Sequence, residues 1–289
     1  MDKAEDTSKR DFMKTAIGIG GVAAATSLLS GAGRVREAYA QLLETSINPN
    51  SVLAKVKKDG KLKVGYSQTV PWFQKDAKTG KLEGIYYEAV ERLAQEIEIK
   101  VEYLEADWVN ATVGLRKGDY DLFGSSLFYT MPRALVVSYI GPLWSKGRLV
   151  LTHRDFAGKF KSAADFNKED VTFSINVGSA EENWAKTSYP KAKIITTTGN
   201  IALSLEPVRT KRAHLYASGE ENTRIVAAKN KWAQIIDEKH PIGRNANTWA
   251  IRYNDPDWQA FLDFWTRNLA NSGWVKERYD FHVAKAAAD

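Results

Sequence analysis

Apolar positions along this chain switch repeatedly between a two-residue and a 3.6-residue spacing, which predicts strands and helices in turn. Leu62-Lys63-Val64-Gly65-Tyr66 alternates as a strand does, Pro71 breaks it, and Lys78-Thr79-Gly80-Lys81 forms a turn. From Tyr86, apolar residues fall at Val90, Leu93, Ala94 and Ile97, the spacing of a helix that buries one face. Ile99-Lys100-Val101-Glu102-Tyr103 is a second alternating strand. A short helix from Trp108 to Lys117 stops at Gly118, and a strand follows from Tyr120 to Phe123. A short helix near Ser51–Lys57 precedes all of these, within a lead-in over residues 41–60.

The pattern restarts after Leu149-Val150-Leu151. Val171, Phe173 and Ile175 alternate with Thr172, Ser174 and Asn176, and a loop at Gly178-Ser179 opens a helix. Lys193 to Thr197 is a strand, Ile201 to Lys211 a helix, and Ala213 to Ala217 a further strand. The clearest helix comes late. Pro256 stands at its first position behind the capping Asp255, Trp258, Phe261, Leu262, Trp265 and Leu269 form its apolar stripe, and Asn271-Ser272-Gly273 stops it. Strands that alternate with helices imply parallel pairing and an α/β fold, whose strand ends are where ligands sit. Two such units in series predict a bilobal molecule with a cleft between its lobes.

The first 40 residues say where the protein works. Lys9-Arg10-Asp11-Phe12-Met13-Lys14 precedes a mildly apolar run from Thr15 to Ser30, diluted by Gly18, Gly20 and Gly21, and Ala38-Tyr39-Ala40 closes the segment. A basic start, a short apolar stretch and a small-residue site describe an export signal cleaved after Ala40, not a membrane span. The Lys-Arg pair looks like a twin-arginine signal with lysine in the first basic position. Lys9-Arg10 leaves both twin-arginine and general secretory export open.

Composition narrows the choices. Cleavage after residue 40 leaves 249 of the 289 residues, enough for two lobes of ordinary size. There is no cysteine, so disulfides, cysteine-ligated metals, thiol nucleophiles and a lipid anchor at the cleavage site are all excluded. A free periplasmic protein is the simplest address. The first 40 residues carry six basic and five acidic side chains, so +5 of the net +6 stays with the mature chain. Those charges are interspersed, without the basic block of a nucleic-acid-binding arm, so no nucleic-acid partner is expected. His153, His214, His240 and His282 are scattered without metal-ligand spacing, and His214 reads as a packed strand residue.

From about Leu62 to Tyr279 the chain resembles the family-3 extracellular solute-binding proteins, the periplasmic receptors of amino-acid importers of the ABC type. Leu62-Lys63-Val64-Gly65 with Pro71-Trp72-Phe73 looks like the family's opening strand and ligand-side loop. Gly80-Lys81-Leu82-Glu83-Gly84-Ile85 resembles the turn into the first helix, and Leu115-Arg116-Lys117-Gly118-Asp119-Tyr120-Asp121-Leu122 the helix end and strand that deliver the binding loop. Thr130-Met131-Pro132-Arg133 stands where the family has Thr-x-x-Arg, and Gly273-Trp274-Val275-Lys276-Glu277-Arg278-Tyr279 resembles the closing helix. The resemblance implies a two-lobed periplasmic-binding-protein fold of type II. Residues 51–147 with 253–289 form lobe 1 and residues 148–252 form lobe 2, joined by a two-crossing hinge near Gly147 and Arg252.

Residues 124–133 offer Gly124, Ser125, Ser126 and Thr130 as a loop rich in small donors, and Arg133 projects a planar fork suited to a carboxylate. The resemblance gives Arg133 the ligand's α-carboxylate. In the second lobe Asn176-Val177-Gly178-Ser179-Ala180-Glu181 resembles the loop that completes that site. A helix opening there aims N–H groups at an anion, while Ser179 also serves as an ordinary N-cap. Tyr66, Trp72 and Trp108 are candidates to line the cleft. Three departures stand out. Phe128 replaces a serine common in amino-acid receptors, Ala180 replaces a frequent threonine, and the acid that grips an α-ammonium falls at Gly219, with Glu220 able to substitute after a one-residue shift.

The mechanism implied is capture by lobe closure, without cofactor or metal, by a monomer that hands a small carboxylate to an inner-membrane ABC permease. The ligand is an amino acid, or a carboxylate whose amine is absent or masked. Two rivals remain. A periplasmic enzyme of the same fold, similar to cyclohexadienyl dehydratase, would use Glu181, Glu182, Glu220 or Glu221 as a general acid. A solute sensor would bind without transport.

Overall fold

The structure, a computed structural model, describes residues 47–76, 79–199 and 201–288. The expected export signal over 1–40 and the first residues of the lead-in lie outside the described residues. Before Ser51, the Asn48 side chain accepts the Asn50 N–H at 2.9 Å.

Ser51 caps α1 (Val52–Asp59) by accepting the Leu53 N–H, and Gly60 ends that helix in the left-handed region at φ 61°. There follow β1 (Lys61–Tyr66), a small hairpin of β2 (Gln74–Lys75) and β3 (Leu82–Glu83), α2 (Ile85–Glu96), β4 (Lys100–Glu105), α3 (Asn110–Lys117) and β5 (Leu122–Phe128). β1 pairs in parallel with β4 on one side and β5 on the other. The expected stripe of α2 is buried at Tyr86, Val90, Leu93 and Ala94, where it packs against Leu62, Val64 and Leu122 of the sheet. Each such side chain contributes about 1.5–3 kcal/mol on leaving water.

After a one-turn helix, α4 (Met131–Ala134), comes β6 (Ser138–His153), a 16-residue strand. The second unit then adds β7 (Thr172–Asn176), α5 (Ala180–Ser188), β8 (Lys193–Thr197), α6 (Ile201–Arg209), β9 (Leu215–Gly219), α7 (Glu220–Lys229) and β10 (Ala233–Ile236). β7 pairs in parallel with β8 and β9, repeating the arrangement around β1. Its own core gathers Phe166, Val171, Phe173, Ile175 and Leu215. The chain then runs through β11 (Ile242–Ile251) into α8 (Pro256–Asn271) and α9 (Trp274–Ala288). Trp258, Leu262, Trp265 and Leu269 of α8 rejoin the core around β1.

The strand order is β4-β1-β5-β11-β6-β9-β7-β8, with β10 on a further stretch of β6. Two parallel triplets are thus joined through the antiparallel pair β6 and β11. β6 pairs with β11 over Ser138–Arg148, with a register shift between Lys146 and Arg148, and with β9 over Arg148–Thr152. Gly147 lies at that register shift, just before the residue the two stretches share. Any Cβ there would lie 2.6 Å from Pro241 Cβ and 2.9 Å from the Gly243 carbonyl oxygen, so the two strands cross only because residue 147 is glycine.

One feature differs from the sequence reading. Residues 124–128 are not loop: β5 continues to Phe128, because Phe123, Leu127 and Phe128 pair antiparallel with β11. Further along, Asn247, Thr248 and Ala250 of β11 pair with β5, beside the first triplet.

Candidate functional site

One cleft lies where the two triplets meet, with ≈ 580 Å³ of atom-free space, part of it open to solvent. Thr69, Trp108, Ser126, Phe128 and Arg133 reach it from the first unit, and Asn176, Ser179, Ala180 and Glu181 from the second. Lys146, from the shared strand β6, forms part of its wall.

Arg133 gets there because Thr130 starts α4 in extended backbone and its hydroxyl accepts the Arg133 N–H, while Pro132 pre-sets the first turn. The guanidinium donates through Nη1 to the Phe128 carbonyl at 3.1 Å and through Nη2 to the Gly178 carbonyl at 2.7 Å. It therefore ties the end of β5 to the loop before α5. Trp108 lies under it, with Cζ 5.9 Å from the ring centre. Burial pushes this guanidinium down from its ordinary value, with Tyr139 and Glu181 pulling the other way. Two of its five N–H donors serve the carbonyls, which leaves donor capacity on a group that remains a cation.

The α5 end is partly closed on itself. The Ser179 hydroxyl accepts the Glu182 N–H at 3.2 Å, and the Glu182 carboxylate accepts the Gly178 N–H at 2.6 Å. Those bonds leave the N–H groups of Ala180 and Glu181, which no helix can satisfy internally, beside the cleft. Gly178 adopts φ 72°, and a Cβ on it would lie 2.9 Å from the Val109 nitrogen, so the loop rests directly on the first unit. Thr69 Oγ1 and Asn176 Oδ1 also line the cleft, buried and without a hydrogen-bond partner among the described residues.

Arg133, Ser126, Phe128, Trp108, Ser179 and Ala180 thus surround one cleft, while Tyr66, Trp72 and Glu220 stand elsewhere. Tyr66 is a core residue, stacked on Phe73 at 4.5 Å with its hydroxyl donating to Glu105 at 3.2 Å. Trp72 is fully buried, and Lys146 Nζ covers its ring at 4.3 Å from the centre. Glu220 turns to the strand crossing, where it accepts the Gly147 N–H at 2.6 Å and pairs with Arg224 at 3.1 Å. Ser125, expected as a loop donor, instead donates from within β5 to the Ser67 carbonyl at 2.6 Å. His214, expected within a strand, stands one residue before β9 and is half-buried, its Nδ1 accepting the Thr172 N–H at 3.2 Å.

Lys146 and Arg148 were not singled out from the sequence, and Glu221 only as a candidate general acid. Phe128 is the floor they share: Lys146 Nζ lies 5.2 Å and Arg148 Cζ 5.4 Å from its ring centre. Arg148 faces Glu181 at 3.4 Å and Lys146 faces Glu221 at 3.5 Å, all four side chains largely buried. Burial lowers the Lys146 ammonium from its ordinary value, opposed by Glu221 and Glu181. The adjoining Trp-Ser-Lys-Gly-Arg run gave no periodic signal to mark these cations as buried.

The sequence profile of the bacterial extracellular solute-binding proteins, family 3, matches residues 62–284. A probable amino-acid ABC transporter-binding protein of Haemophilus influenzae is 26% identical over 169 residues, which span 58% of this chain and 63% of that one. Cyclohexadienyl dehydratase of Pseudomonas aeruginosa is 19% identical over 230 residues, 80% of this chain and 85% of that enzyme. Among solved structures, an ancestral amino acid-binding protein, a precursor of cyclohexadienyl dehydratase, superposes with a TM-score of 0.73 at 28% identity. It covers 81% of this chain and all of its own. The two joined α/β units are the lobes of a type II periplasmic-binding fold, and the chain belongs to the bacterial extracellular solute-binding proteins of family 3.

Proposed function

We propose that this protein is an exported receptor that captures a small polar carboxylate, an amino acid or a relative of one, between its lobes and delivers it to an ABC-type importer. The observation that carries the reading is the Arg133 guanidinium, buried on the cleft wall and bonded to carbonyls of both units at Phe128 and Gly178. A carboxylate there takes the remaining N–H donors in planar geometry, and the N–H groups at the start of α5 face the same anion. A ligand touching both lobes favours the closed state by the difference between its contacts in the two states. The Haemophilus relative, a probable amino-acid ABC transporter-binding protein, supports the same reading. In this proposal the protein is a periplasmic monomer released by cleavage after Ala40, and Lys9-Arg10 leaves its export route open. In the same proposal the lobes divide at two crossings, near Gly147 and near Arg252.

A thermal-shift screen of amino acids, betaines, opines and small organic acids tests it, since a ligand that binds only the folded state raises the melting temperature. The shift must vanish in Arg133→Ala. A hit that survives that substitution removes Arg133 from the site. The relative from Pseudomonas keeps a second reading open, a dehydratase with Glu181, the candidate acid on the cleft wall, as its proton donor. Turnover of a cyclic carboxylate by the purified protein would replace the receptor reading with that one.

A further inference from the structure

Resting on that receptor reading, we infer that Lys146 turns the place of an α-ammonium anchor into a second anion-accepting pole. The solute is therefore a small carboxylic acid without a free amine: a hydroxy, oxo or dicarboxylic acid. Gly219 is the first observation. The resemblance to amino-acid receptors puts their acidic side chain at this position, and here a Cβ would meet Lys146 Cε at 2.8 Å and Nζ at 3.0 Å. The volume that an aspartate would fill is occupied by the lysine side chain, whose charge is of the opposite sign.

The second observation is that this ammonium, which lies over the Trp72 and Phe128 rings, has only distant oxygen acceptors. Its side chain is 2% exposed, and its polar neighbours, Glu221 Oε2 and Ser126 Oγ, both stand at 3.5 Å, the outer limit of a hydrogen bond. Glu221 Oε2 is itself buried without a hydrogen-bond partner. An ammonium has three donors, and a buried one left with weak partners gains most from a new acceptor. Lys146 lines the cleft, so a ligand oxygen can supply that acceptor.

The third observation is the balance of charge. Arg133, Lys146 and Arg148 face Glu181 and Glu221, one cation in excess. The neighbouring Glu182 and Glu220 are neutralised by Lys186 and Arg224. Glu181, the acid on the cleft wall, already faces Arg148 at 3.4 Å. A zwitterionic amino acid would leave the excess in place and set a further cation among three. An amine-free anion removes the excess, with one acidic group at Arg133 and an oxygen at Lys146.

Titration calorimetry on the purified protein with acids matched except for the amine tests this: L-malate, succinate and 2-oxoglutarate against L-aspartate and L-glutamate. We expect an amine-free acid to bind at least about tenfold more tightly than its amino counterpart, and Lys146→Met to weaken it by about ten- to a hundredfold. Lys146→Gln, neutral and polar, gives the same readout should the methionine variant not fold. An amino acid that binds as tightly as its deaminated partner overturns the inference. So does a preference unchanged in the Lys146 variants. In either case carboxylate binding that still needs Arg133 leaves the receptor reading standing. If no carboxylate of either kind binds, both fall.

Discussion

Arg133 donates from Nη2 to the carbonyl oxygen of Gly178 at 2.7 Å, joining residues 45 positions apart on opposite lobes. The same guanidinium holds Phe128 through Nη1, so one planar group spans the cleft beside the space a ligand would fill. The bond exists because Gly178 approaches so closely: at φ 72° its backbone lies against Val109, with no room for a side chain. In the proposed receptor, lobe contact and ligand recognition therefore share one residue.

Gly178→Ala sets a Cβ 2.8 Å from Val109 Cγ2 and 2.9 Å from its backbone nitrogen, in a conformation that costs an L-residue about 1–2 kcal/mol. Relief comes from separating the loop from Val109, which opens the lobes. We expect ligand affinity to fall by about tenfold or more, while circular dichroism stays that of the parent. Small-angle scattering reads the step directly: the parent contracts on adding ligand and the variant does not. Equal contraction in both would show that Gly178 has no part in closure.

What the sequence made legible follows from where each element finds its partners. β1, α2, β7 and α8 carry their burial pattern in local spacing, so Val64, Val90, Phe173 and Leu262 were readable as core. β11 was not readable, since Asn245, Asn247 and Thr248 look like loop. They form strand because β5 and β6 flank them, more than 90 positions away along the chain. Gly124-Ser125-Ser126 failed for the same reason. Arg133 was visible through its motif and Trp108 through its position. Lys146 was not, because its burial depends on Gly219, 73 positions later, having no side chain. Trp72, expected at the cleft, has its ring covered by the same lysine.

The Lys146 ammonium gives the affinity a pH dependence whose sign can be worked out. Burial holds the ligand-free group below its ordinary 10.5, while Glu221, Glu181 and Glu220 pull it up. A bound anion raises it further. Affinity is therefore full below the ligand-free value and falls as pH rises through the window up to the bound value, by at most a decade per pH unit for one proton. Calorimetry from neutral pH to pH 10 should show that fall in the parent and none in Lys146→Met. A parent affinity flat across the range would mean that the ligand does not sense the lysine.

The last helix is tied down by Glu88 of α2, which takes Arg278 Nε at 2.5 Å and faces His282 Nε2 at 2.8 Å. Burial alone would raise this carboxyl, but bonds from His282 and Arg278 outweigh it and hold the group below its ordinary 4.5. A carboxyl lowered on folding stabilises above its unfolded value, and that share disappears as pH falls through the folded value. Glu88→Gln should cost about 1 kcal/mol at neutral pH and flatten the loss of stability below pH 4.5. Urea midpoints at pH 7 and pH 4 measure both. A variant that loses as much as the parent on acidification would assign the acid sensitivity to another group.

Asp255 does two jobs with one carboxylate. Oδ1 accepts the Trp258 N–H at 3.1 Å, capping α8, and also accepts the Ser51 hydroxyl at 2.6 Å. Oδ2 accepts the Val52 N–H at 2.6 Å, the first of α1. The start of α1 is thus pinned to the start of α8 by a side chain that is 7% exposed. Removing a helix cap costs about 0.5–2 kcal/mol, and here two helix starts and a buried hydroxyl lose their acceptor together. Asp255→Ala should therefore lower stability by about 3 kcal/mol with an unchanged urea m-value, and Ser51→Ala by about 1 kcal/mol. Because both changes break the same bond, the double variant should lose less than the sum of the two. Strict additivity would place Ser51 outside this network, and an Asp255→Ala loss under about 0.5 kcal/mol would show that α1 and α8 do not depend on it.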